Sequence, residues 1–108
     1  MPLVTVYGIH FESAHLDLLD LTRKIQFAIA SVPAMKITKP EEKTRVYFPQ
    51  DLLRREKSKV TVEIRIKSKP ERTEEVKHQV AEAVKTVLDD FIWIDAPEVC
   101  VFETPIFV

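Results

Sequence analysis

The sequence predicts a single α/β (α+β) domain over residues 1–108. Its elements come in the order βαββαβ, two βαβ units sharing one sheet, with both helices on one face of it. Three observations carry this expectation. The chain has 108 residues, 45% of them apolar and 31% charged, which suits one small core with a solvated surface. Two long segments place apolar residues three and four apart, the helical period. Short runs of β-branched and aromatic residues flank each of them.

Leu3 to Tyr7 reads as the first strand, broken by Gly8. Ser13 is the expected N-cap of a helix running to about Val32. Leu18, Leu21, Ile25, Ala28, Ile29 and Val32 form its apolar stripe, and Pro33 closes it. Met35 to Lys43 reads as a polar linker containing Pro40. Thr44 to Phe48 is a second strand, stopped by Pro49. Gln50 to Lys59 is a charged connection with one helical turn at Asp51-Leu52-Leu53.

Val60 to Ile66 is the clearest strand. Val60, Val62, Ile64 and Ile66 point one way, and Thr61, Glu63 and Arg65 the other. Ser68-Lys69-Pro70-Glu71 has the S-x-x-E form of a capping box. The helix it is expected to open runs to about Leu88 on a stripe of Val76, Val80, Ala83, Val84 and Val87. Asp89-Asp90 ends it. Phe91 to Ile94 reads as a short strand and Glu98 to Glu103 as a longer one.

With the helices on one face, alternation leaves Leu3, Thr5, Tyr7, Arg45, Tyr47, Thr61, Glu63 and Arg65 on the other. The last strand adds either Val99 and Val101 or Cys100 and Phe102, since either phase fits. This mixed face is either solvated or covered by other subunits. The second reading predicts a homo-oligomer.

Composition excludes several functions. Lys and Arg total 16 and Asp and Glu 17, so the net charge is -1. That balance argues against a nucleic-acid or anionic-membrane surface. One glycine, Gly8, cannot build a G-x-G-x-x-G turn or a phosphate-binding loop. One cysteine, Cys100, rules out an intrachain disulfide and fits a reducing, cytoplasmic setting. It reads as a buried, inert thiol. No segment approaches the roughly 20 apolar residues of a membrane span. His10, His15 and His78 form no H-x-H or H-E-x-x-H pair, so no metal site is expected. His15 and His78 read as surface residues, and the basic run from Arg54 to Lys59 as a solvated connection.

The βαββαβ order, the length, and Met1-Pro2 followed at once by strand Leu3–Tyr7 resemble the tautomerase superfamily, in its uncharacterised branches. Val60-Thr-Val-Glu-Ile-Arg-Ile with the helix after it, and Glu98-Val-Cys-Val-Phe-Glu-Thr, are similar to the second half of such chains. The resemblance implies a homotrimer needing no cofactor. It implies removal of Met1 and use of the Pro2 amine as the base for keto-enol isomerisation of a small 2-oxo or 2-hydroxydienoate acid. A proline nitrogen still acylated by Met1 has no basicity. A free α-amine starts near pKa ~8, and desolvation or nearby cations lower it toward neutrality.

The resemblance also implies an arginine for the substrate carboxylate, whose fork makes two parallel hydrogen bonds. Arg45 opens the second strand at the matching place, and Arg65 is a second candidate. Tyr7, Tyr47, Trp93 and Phe102 are candidate pocket walls. The chain departs from the pattern at His10-Phe11-Glu12-Ser13, where those enzymes carry another arginine. Two non-catalytic alternatives remain: an oligomeric ligand-binding or assembly module on a ferredoxin-like sheet, or a degenerate tautomerase fold. A ferredoxin-like sheet would interleave the strands of the two halves.

Overall fold

The computed structural model describes residues 2–9, 15–49, 60–91, 94 and 97–104. Four strands form one sheet: β1 (Leu3–Tyr7), β2 (Arg45–Tyr47), β3 (Thr61–Lys67) and β4 (Glu98–Thr104). Two long helices, α1 (His15–Ala30) and α3 (Glu74–Asp89), flank a short helix α2 (Pro40–Lys43) in sequence. The strand order is β2-β1-β3-β4. β1 and β2 are parallel, β3 and β4 are parallel, and β1 meets β3 antiparallel. Each βαβ half therefore keeps its own two strands side by side. The interleaved, ferredoxin-like alternative is excluded by this order.

The helices share one face of the sheet, as expected. Leu21, Ile25 and Ile29 of α1 and Val80, Val84 and Leu88 of α3 are fully buried with Val4, Val6, Val62, Ile64 and Ile66. Burial of each aliphatic side chain favours folding by about 1.5–3 kcal/mol. The other face carries three cross-strand rows. Arg45, Leu3, Arg65 and Phe102 form the first, Tyr47, Thr5, Glu63 and Cys100 the second, and Tyr7, Thr61 and Glu98 the third.

The halves are related by a pseudo-two-fold axis through the Thr5–Glu63 pair. α1 and α3 are both 16 residues long, with core residues at matching places. The amide of Arg45 donates to the carbonyl of Pro2 at 3.1 Å, and that of Glu98 donates to the carbonyl of Val60 at 3.0 Å. Pro2 and Val60 are thus equivalent, as are Arg45 and Glu98.

Several local expectations are corrected. Ser68 does not cap α3. Pro70 sits inside a turn closed by the Arg72 amide on the Lys69 carbonyl, which delays the helix. Thr73 is the N-cap, its hydroxyl accepting from the Val76 amide. Cys100 is exposed, because β4 takes the phase that sets it opposite Glu63 on the open face. Phe91 and Ile94 are joined by a turn hydrogen bond and lie in no strand. The linker after Pro33 holds a short 3-10 turn at Pro33–Met35 and then α2. The Ser13 cap, the Asp51–Leu53 turn, the Arg54–Lys59 run, His10 and Trp93 lie outside the described residues. His78 is a surface residue, as expected.

Candidate functional site

Strand direction gathers the chemistry at one end of the sheet. β1 and β2 begin where β3 and β4 finish. That end therefore collects Pro2, Thr44, Arg45, Lys67 and the loop from β3 to α3. Pro2 is buried. Its ring is on the helix side of the sheet, because Leu3 faces the open side. Thr44, next to Arg45, stands beside Pro2 on that same side.

Thr44 is fixed from three directions. Its amide donates to the Pro40 carbonyl at 3.2 Å, so α2 leads straight into the strand. Its carbonyl accepts from the buried Gln26 side chain of α1 at 3.0 Å. The following amide, that of Arg45, holds the Pro2 carbonyl. The Thr44 side chain is 1% exposed, and its hydroxyl has no hydrogen-bond partner. Such an orphaned hydroxyl costs about 1–3 kcal/mol.

Arg72 is the second unusual group. Its side chain folds back from the Lys69–Arg72 turn and donates through Nη1 to the Lys67 carbonyl at 3.0 Å. It is 5% exposed, and its Nε is buried without a partner. Among the described residues no carboxylate pairs with it. A desolvated guanidinium without a counter-charge is unfavourable in the free protein, and its planar donors suit an incoming carboxylate.

The Arg72 loop is braced on both sides. Ser68 donates to Glu103 at 3.2 Å, and Lys77 reaches Glu103 at 3.3 Å and also Glu74. The hydrogen bond to Glu74 foremost, with Glu103 adding to it, holds the Lys77 pKa above the ordinary lysine value against the opposing effect of burial.

The residues singled out from sequence are placed as follows. Arg45 is exposed on the open face at the Pro2 end, so it and Pro2 lie on opposite sides of the sheet. Tyr47 lies beside Thr5, two residues further along. Arg65 flanks Leu3 from the other side, about 10 Å from Arg45 across two strand spacings. It pairs with Glu63 at 3.6 Å and lies over the Phe102 ring at 5.5 Å. Tyr7 sits at the far end of β1, about 17 Å from Pro2 along the strand. Within one chain, Arg45, Leu3 and Arg65 are brought together and Tyr7 is kept apart from them. Arg72 was not singled out. Its signal in the sequence is its place just after β3, at the end of the sheet where β1 begins. Among the described residues no cluster of His, Cys, Asp or Glu could hold a metal ion, and no helix is long and apolar enough to cross a membrane.

No protein-family profile matches the chain, and no curated protein sequence does. Solved structures do. FG41 malonate semialdehyde decarboxylase inhibited by 3-bromopropiolate is 14% identical, with a TM-score of 0.66 over 95% of this chain and 83% of that one. A wild-type fused 4-OT, described as a symmetric trimer, is 15% identical, with a TM-score of 0.65 over 95% and 85%. A further malonate semialdehyde decarboxylase is 14% identical, with a TM-score of 0.61 over 95% and 84%. The two-half sheet, its helix-covered face and these neighbours together give this chain the fold of the tautomerase superfamily.

Proposed function

We propose that the protein is a cofactor-independent tautomerase that moves a proton within a small 2-oxo or 2-hydroxydienoate acid. The observation that carries this reading is the buried guanidinium of Arg72, which pairs with no carboxylate among the described residues, at the sheet end where Pro2 begins β1. Removal of Met1 frees the Pro2 nitrogen as a secondary amine. Its lone pair takes a proton from the carbon next to the carbonyl or from the enol hydroxyl. The electrons shift through the enolate, and the same proton returns to the other position, so nothing is consumed. Arg72 holds the carboxylate and offsets the charge that builds on the enolate.

The chain assembles as a trimer in this reading, which the fused 4-OT trimer among the structural neighbours supports. Tyr47 and Phe102, exposed on the open face beside Arg45 and Arg65, and Tyr7 at the far end of β1 are then covered at subunit contacts. Arg45 is a second carboxylate contact at that boundary. Arg65, already held by Glu63, lines it.

The test compares the processed protein with a form that keeps Met1, using phenylpyruvate and 2-hydroxymuconate as probes. The processed form is expected to turn over one of them and the Met1-bearing form neither, because an amide nitrogen cannot take the proton. Equal turnover by both forms overturns the proline mechanism. A processed form that neither turns over nor binds either acid favours the non-catalytic ligand-binding or assembly module.

A further inference from the structure

We infer that Glu103 of β4 is a positioning residue: by holding Ser68 and Lys77 together it keeps Arg72 in the pose that receives a carboxylate. This rests on the reading of Arg72 as the carboxylate contact. The first observation is where Glu103 stands. It pairs with Ile66 of β3, one residue before Lys67. Along β4, Cys100 and Phe102 face the open side, so Val99, Val101 and Glu103 face the helices. Val99 and Val101 pack against the core there. The next place in that row carries a carboxylate, where continued packing calls for an apolar side chain.

The second observation is what Glu103 holds. Its two oxygens serve different elements. Oε2 accepts from the Ser68 hydroxyl at 3.2 Å, and Oε1 lies 3.3 Å from the Lys77 ammonium. Ser68 lies between Lys67 and Lys69, whose carbonyls receive the Arg72 side chain and amide, each at 3.0 Å. Lys77 is in the first turn of α3, just past the Thr73 cap. The contacts close a ring from Glu103 through Ser68 to the Lys69–Arg72 turn, then through Thr73 to Lys77 and back to Glu103. The Lys77 and Glu103 side chains are 17% and 34% exposed, so water competes with this pair less than with Lys24 and Asp20 on α1, at 50% and 55%.

Among the described residues, the Arg72 side chain has one hydrogen bond, to the Lys67 carbonyl, and its Nε is unpartnered. A long side chain held at one point loses rotamer freedom when it takes a ligand. The ring fixes the backbone on both sides of Arg72 before the ligand arrives, which lowers that cost.

The experiment compares the processed parent, Glu103→Ala, Arg72→Met and the double variant, with melting curves confirming that each is folded. Amide hydrogen exchange by NMR reads the turn, and calorimetric titration with phenylpyruvate reads binding. In Glu103→Ala the Arg72 amide should exchange about 3- to 10-fold faster while the amides of β3 exchange as in the parent, and affinity for the acid should fall by a similar factor. In the Arg72→Met background the same substitution should leave the remaining affinity unchanged, because its effect on binding passes through Arg72. An unchanged Arg72 amide, an unchanged affinity, or an equal fall in affinity with and without Arg72 overturns the inference. A parent that does not bind the acid, with an Arg72 amide that still responds to Glu103→Ala, overturns the carboxylate reading of Arg72 instead, so the two failures are distinguishable.

Discussion

Replacing Arg72 by Met separates a binding role from a structural one, because the two predict opposite signs for stability. The substitution removes one hydrogen bond, Nη1 to the Lys67 carbonyl, with a net value of about 0.5–1.5 kcal/mol. It also removes a buried Nε that has no partner, relieving about 1–3 kcal/mol, while the Met chain fills much of the same space. The free variant should therefore be as stable as the parent or up to about 2 kcal/mol more stable. That is a rise in melting temperature of roughly 4–8 °C for each kcal/mol at this size.

Binding should move the other way. Hydrogen bonds to a charged group contribute about 1.5–3 kcal/mol, so affinity for a small carboxylate should fall about 10- to 150-fold. Scanning calorimetry with and without phenylpyruvate reads both quantities. The parent should gain stability from the ligand, and the variant should gain little. A variant that melts well below the parent and binds the acid equally well would refute the argument. It would make Arg72 a strap for its loop and leave the carboxylate to Arg45.

Three further outcomes are expected. Val62→Asp buries an unpaired carboxylate beneath α3 and should cost several kcal/mol, or prevent folding; an unchanged denaturant midpoint would contradict the packing of β3. Lys77 has a raised pKa in the folded chain, so its stabilising contribution is complete below the ordinary lysine value and is lost as pH climbs through the raised one. The stability gap between parent and Lys77→Met should be level around neutral pH and close in strong alkali, and a gap that closes between about pH 6 and pH 8 would contradict this. Sedimentation at micromolar concentration should give three times 12.5 kDa, whereas a single 12.5 kDa species would remove any site built between subunits.

The elements visible in the sequence are those with one clear period. β3 alternates Val, Thr, Val, Glu, Ile, Arg, Ile from Val60, so both its type and its buried face could be read directly. The stripes of α1 and α3 were equally legible. β4 was different: Val99, Cys100, Val101 and Phe102 are all apolar, so alternation carries no phase, and only pairing with β3 decides it. The exposed thiol of Cys100 followed from that choice and not from its residue type. The α3 cap was misread because two hydroxyl residues five apart, Ser68 and Thr73, both precede a helical stripe, and the Pro70 turn selects the second.

Pro2 and Arg45 are expected site residues through resemblance alone, since each stands at the head of a strand. Arg72 was hidden in Lys67-Ser-Lys-Pro-Glu-Arg-Thr-Glu-Glu, a stretch whose composition reads as solvated. Its burial comes from a turn that folds the side chain back over the end of β3, which no local pattern encodes.

The near-symmetry of the two halves has a stoichiometric consequence. The place equivalent to Pro2 is Val60, whose nitrogen is an amide inside a continuous chain, and the place of Arg45 is taken by Glu98. A polypeptide has one amino terminus, so duplicating the βαβ unit within a single chain duplicates the scaffold without duplicating the amine. A reagent selective for a free secondary amine should therefore label one site per processed chain, Pro2, with no counterpart at Val60. In the proposed reading the two halves divide the work unequally: the first supplies the Pro2 amine, and the second supplies Arg72 from the loop after β3.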